Sequence, residues 1–204
     1  MPRLRSYLPP EEIEKEATDF LQEHHPSGEL PIPIEEIIQQ NLDFHIVPSM
    51  SLQESADIDA WTAIKRKEIY IDHENYMSDT RHCRIRFTLA HELGHIVLHQ
   101  DYLNNLDFKS DIEWKNYMME NWRKNGNYEV QANIFAGYVL MPTHLVEAEF
   151  GKAKIKVNQI LNERNEIKLT DELIAPYAAR DIARVFEVSE ESANYRLINW
   201  IKTQ

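Results

Sequence analysis

The sequence predicts an α+β fold, mainly helical with one small antiparallel sheet. Two observations carry that expectation. Apolar residues recur at helical spacing over most of the chain, and only three short pieces, 44–48, 59–64 and 68–72, read as strands. The last two flank "KRK", a polar turn, and alternate as an antiparallel hairpin does.

The first helix is expected after Pro9 and Pro10, which suit a helix start, with Ile13, Ala17, Phe20 and Leu21 on one face. "LPIPIEEIIQQN" reads as a second, short helix ahead of the strands. A long helix is predicted from an N-cap at Ser78 or Asp79 to about His99. Residues 101–127, polar and acidic but bearing Tyr102, Phe108, Trp114, Tyr117 and Trp122, are expected as a loop plus one helix. Trp114, Tyr117, Met118 and Trp122 would form one packed face, and the segment suits a lid over a neighbouring cleft. A second central helix, "NYEVQANIFAGYVLMP", ends at Pro142, and Thr143 can cap the next. Two or three further helices follow.

The 204 residues suffice for one domain with a small appendage; 43% are hydrophobic and 27% charged, as in ordinary globular proteins. No apolar run approaches the roughly 20 residues that cross a bilayer. The N-terminus turns acidic without an apolar stretch, so no secretory signal is expected, and Cys83, alone, cannot pair internally. The cytoplasm is the expected compartment. Lys and Arg number 22 against 34 Asp and Glu, a net charge of −12 that argues against nucleic acid as the main partner.

The chemistry concentrates in "FTLAHELGHIVLH". Residues four apart share a helix face, about 6 Å apart along the axis, so His91 and His95 can both turn a ring nitrogen to one ion. Glu92, about 100° round the helix, stands where a general base belongs. Gly94 leaves one flank bare for a close neighbour. The five-letter motif also arises by chance, and a helix with ordinary histidines remains the alternative until a third ligand is found.

His99 and Cys83 each lie about 12 Å along the axis from His91, too far to share its ion. His99 is expected as a helix-end residue at the negative pole of the dipole, Cys83 as a small buried one. His82 and His73 have no motif to recommend them. Glu129 is the better candidate, on a helix whose small Ala132 and Ala136 permit close packing against the histidine helix. Two histidines and a glutamate with one open position make a catalytic zinc set. Asn133, one turn on, can hold a ligand in place. Glu129 also reads as a plain first-turn acid.

"RFTLAHELGHIVLH" followed by "EVQANIFAGYVLMP" resembles the paired signature of the ImmA/IrrE metallopeptidases over about residues 10–145. The resemblance implies a gluzincin-like fold over residues 1–150, with a zinc ion (manganese in vitro) on His91, His95 and Glu129 and with Glu92 as the catalytic base. It implies as substrate a helix-turn-helix repressor, cleaved to release mobile-element, phage or stress genes. The strand "EIYID" is expected to hold an extended substrate by strand addition, with Tyr70, His73 and Tyr138 as candidates to stabilise the oxyanion.

Residues 151–204 form a helical region ending in "ARDIARVFEVSEESANYRLINW", which has the rhythm of a helix-turn-helix. A DNA-binding regulator is therefore the rival reading, as is a metal-stabilised docking or toxin–antitoxin protein without hydrolysis. Against DNA, the second helix opens on Ser189, Glu190 and Glu191, which puts carboxylates where phosphates would lie.

Overall fold

The computed structural model describes residues 7–50, 52–163 and 169–204, with backbone alone at 55–56, 122–126 and 162–163. Pro10 occupies the first position of α1 (Pro10–His24), where its missing N–H costs nothing, and Ile13, Ala17, Phe20 and Leu21 are buried as expected. α2 (Ile34–Glu36) runs on into a wide turn over Ile37–Asn41, closed by the Leu42 N–H donating to the Ile37 carbonyl.

Next come β1 (His45–Ser49), α3 (Leu52–Ala56), β2 (Ala60–Ala63) and β3 (Glu68–Asp72). The expected hairpin is present: β2 pairs antiparallel with β3 through a turn in which Lys67 takes φ +51°. The sheet as a whole is mixed rather than antiparallel, because β1 joins the other edge of β3 in parallel, giving the order β1-β3-β2. β3 carries Ile69 and Ile71, both fully buried, and so takes the central place where both edges are covered.

Asp72 ends β3 and ties the strand to two short helices. One oxygen caps α4 (His73–Tyr76) by accepting from the Asn75 N–H, and the other accepts from the Gln53 N–H of α3. The long helix α5 (His82–Leu98) starts later than expected, since Asp79–Arg81 form a tight turn before it. α6 (Gln100–Leu103) is a single turn.

The largest departure is α7 (Asp111–Leu140), one 30-residue helix where a loop, a helix and a separate second helix were expected. Its interior holds no proline, and Gly126 and Gly137 each cost only about 1 kcal/mol against Ala, too little to break a helix packed along α5. Ser110 caps it, accepting from the Glu113 N–H. Asp111 ties its start to the sheet, accepting from Trp61 Nε1 (2.7 Å) and Ser49 Oγ (3.1 Å). Trp114 packs beside Trp61; the Trp122 side chain lies outside the described residues.

α8 (Thr143–Glu163) spans the expected division at 150/151. α9 (Asp171–Phe186) and α10 (Glu190–Ile201) pack as a pair about Glu187, whose φ is +51°. Phe150, Ile174 and Phe186 share one apolar cluster with Leu89 and Phe135. Arg86 of α5 donates to the carbonyls of Ile32, Phe186 and Glu187, so the histidine helix also satisfies the end of α9. Among the described residues, no helix is long and apolar enough to cross a membrane.

Candidate metal centre

Helices α5 and α7 lie in close apposition at Gly94, where an added Cβ would stand 3.0 Å from the Ala132 Cα. That approach sets the site. His91 and His95, one turn apart on α5, bring their Nε2 atoms to 3.1 Å from each other. Glu129 of α7 places Oε2 3.1 Å from His91 Nε2 and Oε1 3.5 Å from His95 Nε2. Four ligands at about 2.05 Å around a tetrahedral zinc have edges of about 3.3 Å. The three separations bracket that value, and two imidazoles with one carboxylate are a donor set that suits zinc.

The far sides of the rings are held so that both Nε2 lone pairs can face inward. His91 Nδ1 lies 2.9 Å from Asn133 Oδ1, the residue expected for this task. His95 Nδ1 lies 3.0 Å from His99 Nδ1, and His99 Nε2 lies 3.3 Å from Gln131 Oε1. With each ring donating outward, to Asn133, His99 and Gln131 in turn, every contact is a donor–acceptor pair. Burial raises the Glu129 pKa, but the two imidazoles more than offset it and hold it well below the usual carboxylate range. Burial likewise lowers the His91 pKa, yet Glu129 and Glu92 leave it raised on balance.

His99 is no charged residue at the helix pole, as the sequence suggested. It is 4% exposed, and burial, with His95 beside it, pushes it down to about 3. A folded-state value below the unfolded 6.5 means that the unfolded chain binds the extra proton first. The contribution of neutral His99 is therefore complete above about pH 6.5 and lost as pH falls toward 3, at up to about 1.4 kcal/mol per pH unit. Denaturant melts from pH 7 to 4 are expected to show a steeper loss in the wild type than in His99→Gln.

Glu92 is 5% exposed, and its Oε2 accepts a 2.7 Å hydrogen bond from Thr62 Oγ1 on β2. Glu92, Thr62 and the three donors line one cleft of about 300 Å³. Sequence reasoning missed Thr62, Gln131 and the role of His99. Only the four-residue step from His95 to His99 on one helix face hinted at any of them.

Other expectations change. β3 is paired on both sides and has no free edge for a substrate; β2 presents one instead. The Asp72 N–H donates to the Asp59 carbonyl, so by antiparallel alternation Ala60 and Thr62 turn their own N–H and C=O outward. Tyr70, His73 and Tyr138 do not line the cleft: Tyr70 stacks on Trp61, and Tyr138 faces Arg196. His82 meets Glu187 on the surface, and Cys83 is half-buried rather than buried. Residues of the 101–127 stretch, Tyr102, Leu103, Leu106, Trp114 and Met118, do wall the cleft.

The sequence profile of a peptidase family, described as the IrrE N-terminal-like domain, matches residues 39–198. The chain belongs to this family. Its metal-dependent chemistry fits the His91–His95–Glu129 cluster, which the IrrE-like chain builds from the two helices the profile spans. No curated protein matches the chain. Among solved structures, the chain is similar to a Mycobacterium tuberculosis transcriptional regulator, at a TM-score of 0.50 and 16% identity. That likeness covers 92% of this chain but 46% of the regulator, so the chain spans about half its length and the two share a fold.

Proposed function

We propose that this IrrE-like chain is a zinc-dependent endopeptidase of the cytoplasm that cleaves a helix-turn-helix repressor and so releases the genes it silences. The observation that carries the reading is the buried Glu92, fixed by Thr62 in the same cleft as the three convergent donors. His91, His95 and Glu129 would hold the ion, which when bound supplies Lewis-acid activation of water and of the scissile carbonyl.

The residues of the chain do the rest. The outward N–H and C=O groups of Ala60 and Thr62 pair with an extended substrate backbone and lay it across the cleft. Glu92 takes the proton of the attacking water and returns it to the leaving amine nitrogen. Thr62 holds that carboxylate through one oxygen. Thr62→Val keeps the shape but removes the hydroxyl, so kcat is expected to fall about tenfold, with KM and bound metal little changed. Steady-state kinetics on an unfolded protein substrate beside metal analysis reads both.

Nucleic acid is not a partner in this proposal. α9 and α10 are two packed helices joined by a short turn, but Ser189 caps α10 ahead of Glu190 and Glu191. Arg196, the one basic residue of α10, is 9% exposed and donates to Thr143 Oγ1 over the face of Tyr138. It has little to offer a phosphate.

The test is to incubate purified protein, with zinc or manganese, with the helix-turn-helix repressor encoded beside its gene. Fragments that vanish with chelator and with Glu92→Gln support the proposal. Intact repressor at full metal occupancy argues for docking without hydrolysis.

A further inference from the structure

Leu103 and Leu106 are half-buried, yet among the described residues they belong to neither apolar cluster of the core. Both face the cleft. Both also border a smaller hollow beside the β2–β3 turn, whose walls include Trp61, Ala63, Arg66 and Phe108. Thr62 lines the two hollows as well, so one groove runs from the metal donors along the outer edge of β2 toward that turn. A peptide paired with Ala60 and Thr62 would direct alternate side chains across this groove.

We propose that Leu103 and Leu106 wall a side-chain pocket that selects a large, uncharged apolar residue beside the scissile bond. This rests on the peptidase reading and gives it a substrate class. Apolar side chains left out of the core and turned to a cleft have no folding task there, and Trp114 and Met118 extend the same wall. The charged groups of the cleft are already engaged. Both Asp59 oxygens accept from Arg84, at 2.7 to 3.1 Å, and Oδ1 also accepts from Asn75. Glu92 and Glu129 belong to the chemistry. Among the described residues of the main cleft, a substrate lysine would find no carboxylate free of Arg84 or of the chemistry, and an aspartate would meet three of like charge; Asp107 and Lys65, of opposite sign, line only the smaller hollow.

Peptide hydroxamates, which chelate a metal through their own end group, test this without turnover. Leucyl, lysyl and aspartyl versions of one such peptide would be titrated into zinc-loaded protein by calorimetry. The leucyl compound is expected to bind tighter than either charged one by roughly ten- to a hundredfold. Leu106→Arg should abolish that preference, and Leu106→Ala, which adds no charge, should narrow it; zinc content and melting curves check that both variants fold. Equal binding of the three, a preference unchanged in both variants, or no binding by any would each overturn the pocket. The peptidase reading fails separately, if zinc-loaded wild type ranks the hydroxamates in this order yet leaves repressor and unfolded protein uncut.

Discussion

Replacing Glu92 with glutamine should stop peptide cleavage while leaving the metal in place. Glutamine has the same shape and can still meet the Thr62 hydroxyl, but its amide cannot take up a proton. General acid–base groups contribute on the order of 10² to 10⁴ in rate, and the proposed mechanism gives Glu92 both proton transfers, so a loss near the upper figure is expected. Glu92 is not one of the three convergent donors, so zinc affinity should change little. Equilibrium dialysis and single-turnover cleavage read the two effects separately. Activity within tenfold of wild type would sink the assignment of Glu92 as the base, whatever the metal content. Glu129→Gln should behave in the opposite way. It removes the only carboxylate among the donors, so both metal and activity are expected to fall together.

Gly94→Val should cost both stability and metal affinity, although it lies between the ligands rather than among them. An added Cβ would sit 3.0 Å from the Ala132 Cα, 3.1 Å from its carbonyl oxygen and 3.3 Å from its Cβ. Two of those three atoms are backbone and cannot rotate away. Replacing a helical glycine by alanine gains about 1 kcal/mol in propensity, while overpacking of this kind costs about 1–3 kcal/mol. The two nearly balance for alanine, and the branched methyls of valine tip the sum to a loss of about 3 kcal/mol. Because Glu129 lies one turn before Ala132, forcing the helices apart also draws its carboxylate from the histidines. Thermal melts and chelator competition should therefore move together for Gly94→Val, with Gly94→Ala between it and wild type. Ala132→Gly should rescue only in part, since it removes the Cβ and leaves the two backbone atoms.

Much of this protein is written locally. Prolines at 9 and 10 start α1, and the "KRK" turn and its flanking alternation give the β2–β3 hairpin. The four-residue step from His91 to His95 puts two ring nitrogens side by side on any helix that holds it, and Glu92 follows by the same rotation. Gly94 and Ala132 announce a close helix crossing because small residues are what such a crossing requires. The α+β class and the histidine helix were legible in the residues alone, as was the convergence of Glu129 on His91 and His95; the role of Glu92 as base is the proposal drawn from its place beside them.

What lay beyond it depends on which elements meet. β1 lies parallel on the far edge of β3, so that the strand carrying the fully buried Ile69 and Ile71 is covered on both sides, a pairing between segments that nothing local in either one specifies. α7 runs unbroken through 30 residues because packing along α5 outweighs the polar character of its first half. The Thr62–Glu92 bond spans 30 residues and the His99–Gln131 bond spans 32, separations at which no sequence periodicity operates. His99 shows the reason plainly. At the end of a helix it reads as a favourable positive charge, but buried between His95 and Gln131 it can only be neutral, and a neutral imidazole steers a ligand where a charged one would repel the ion.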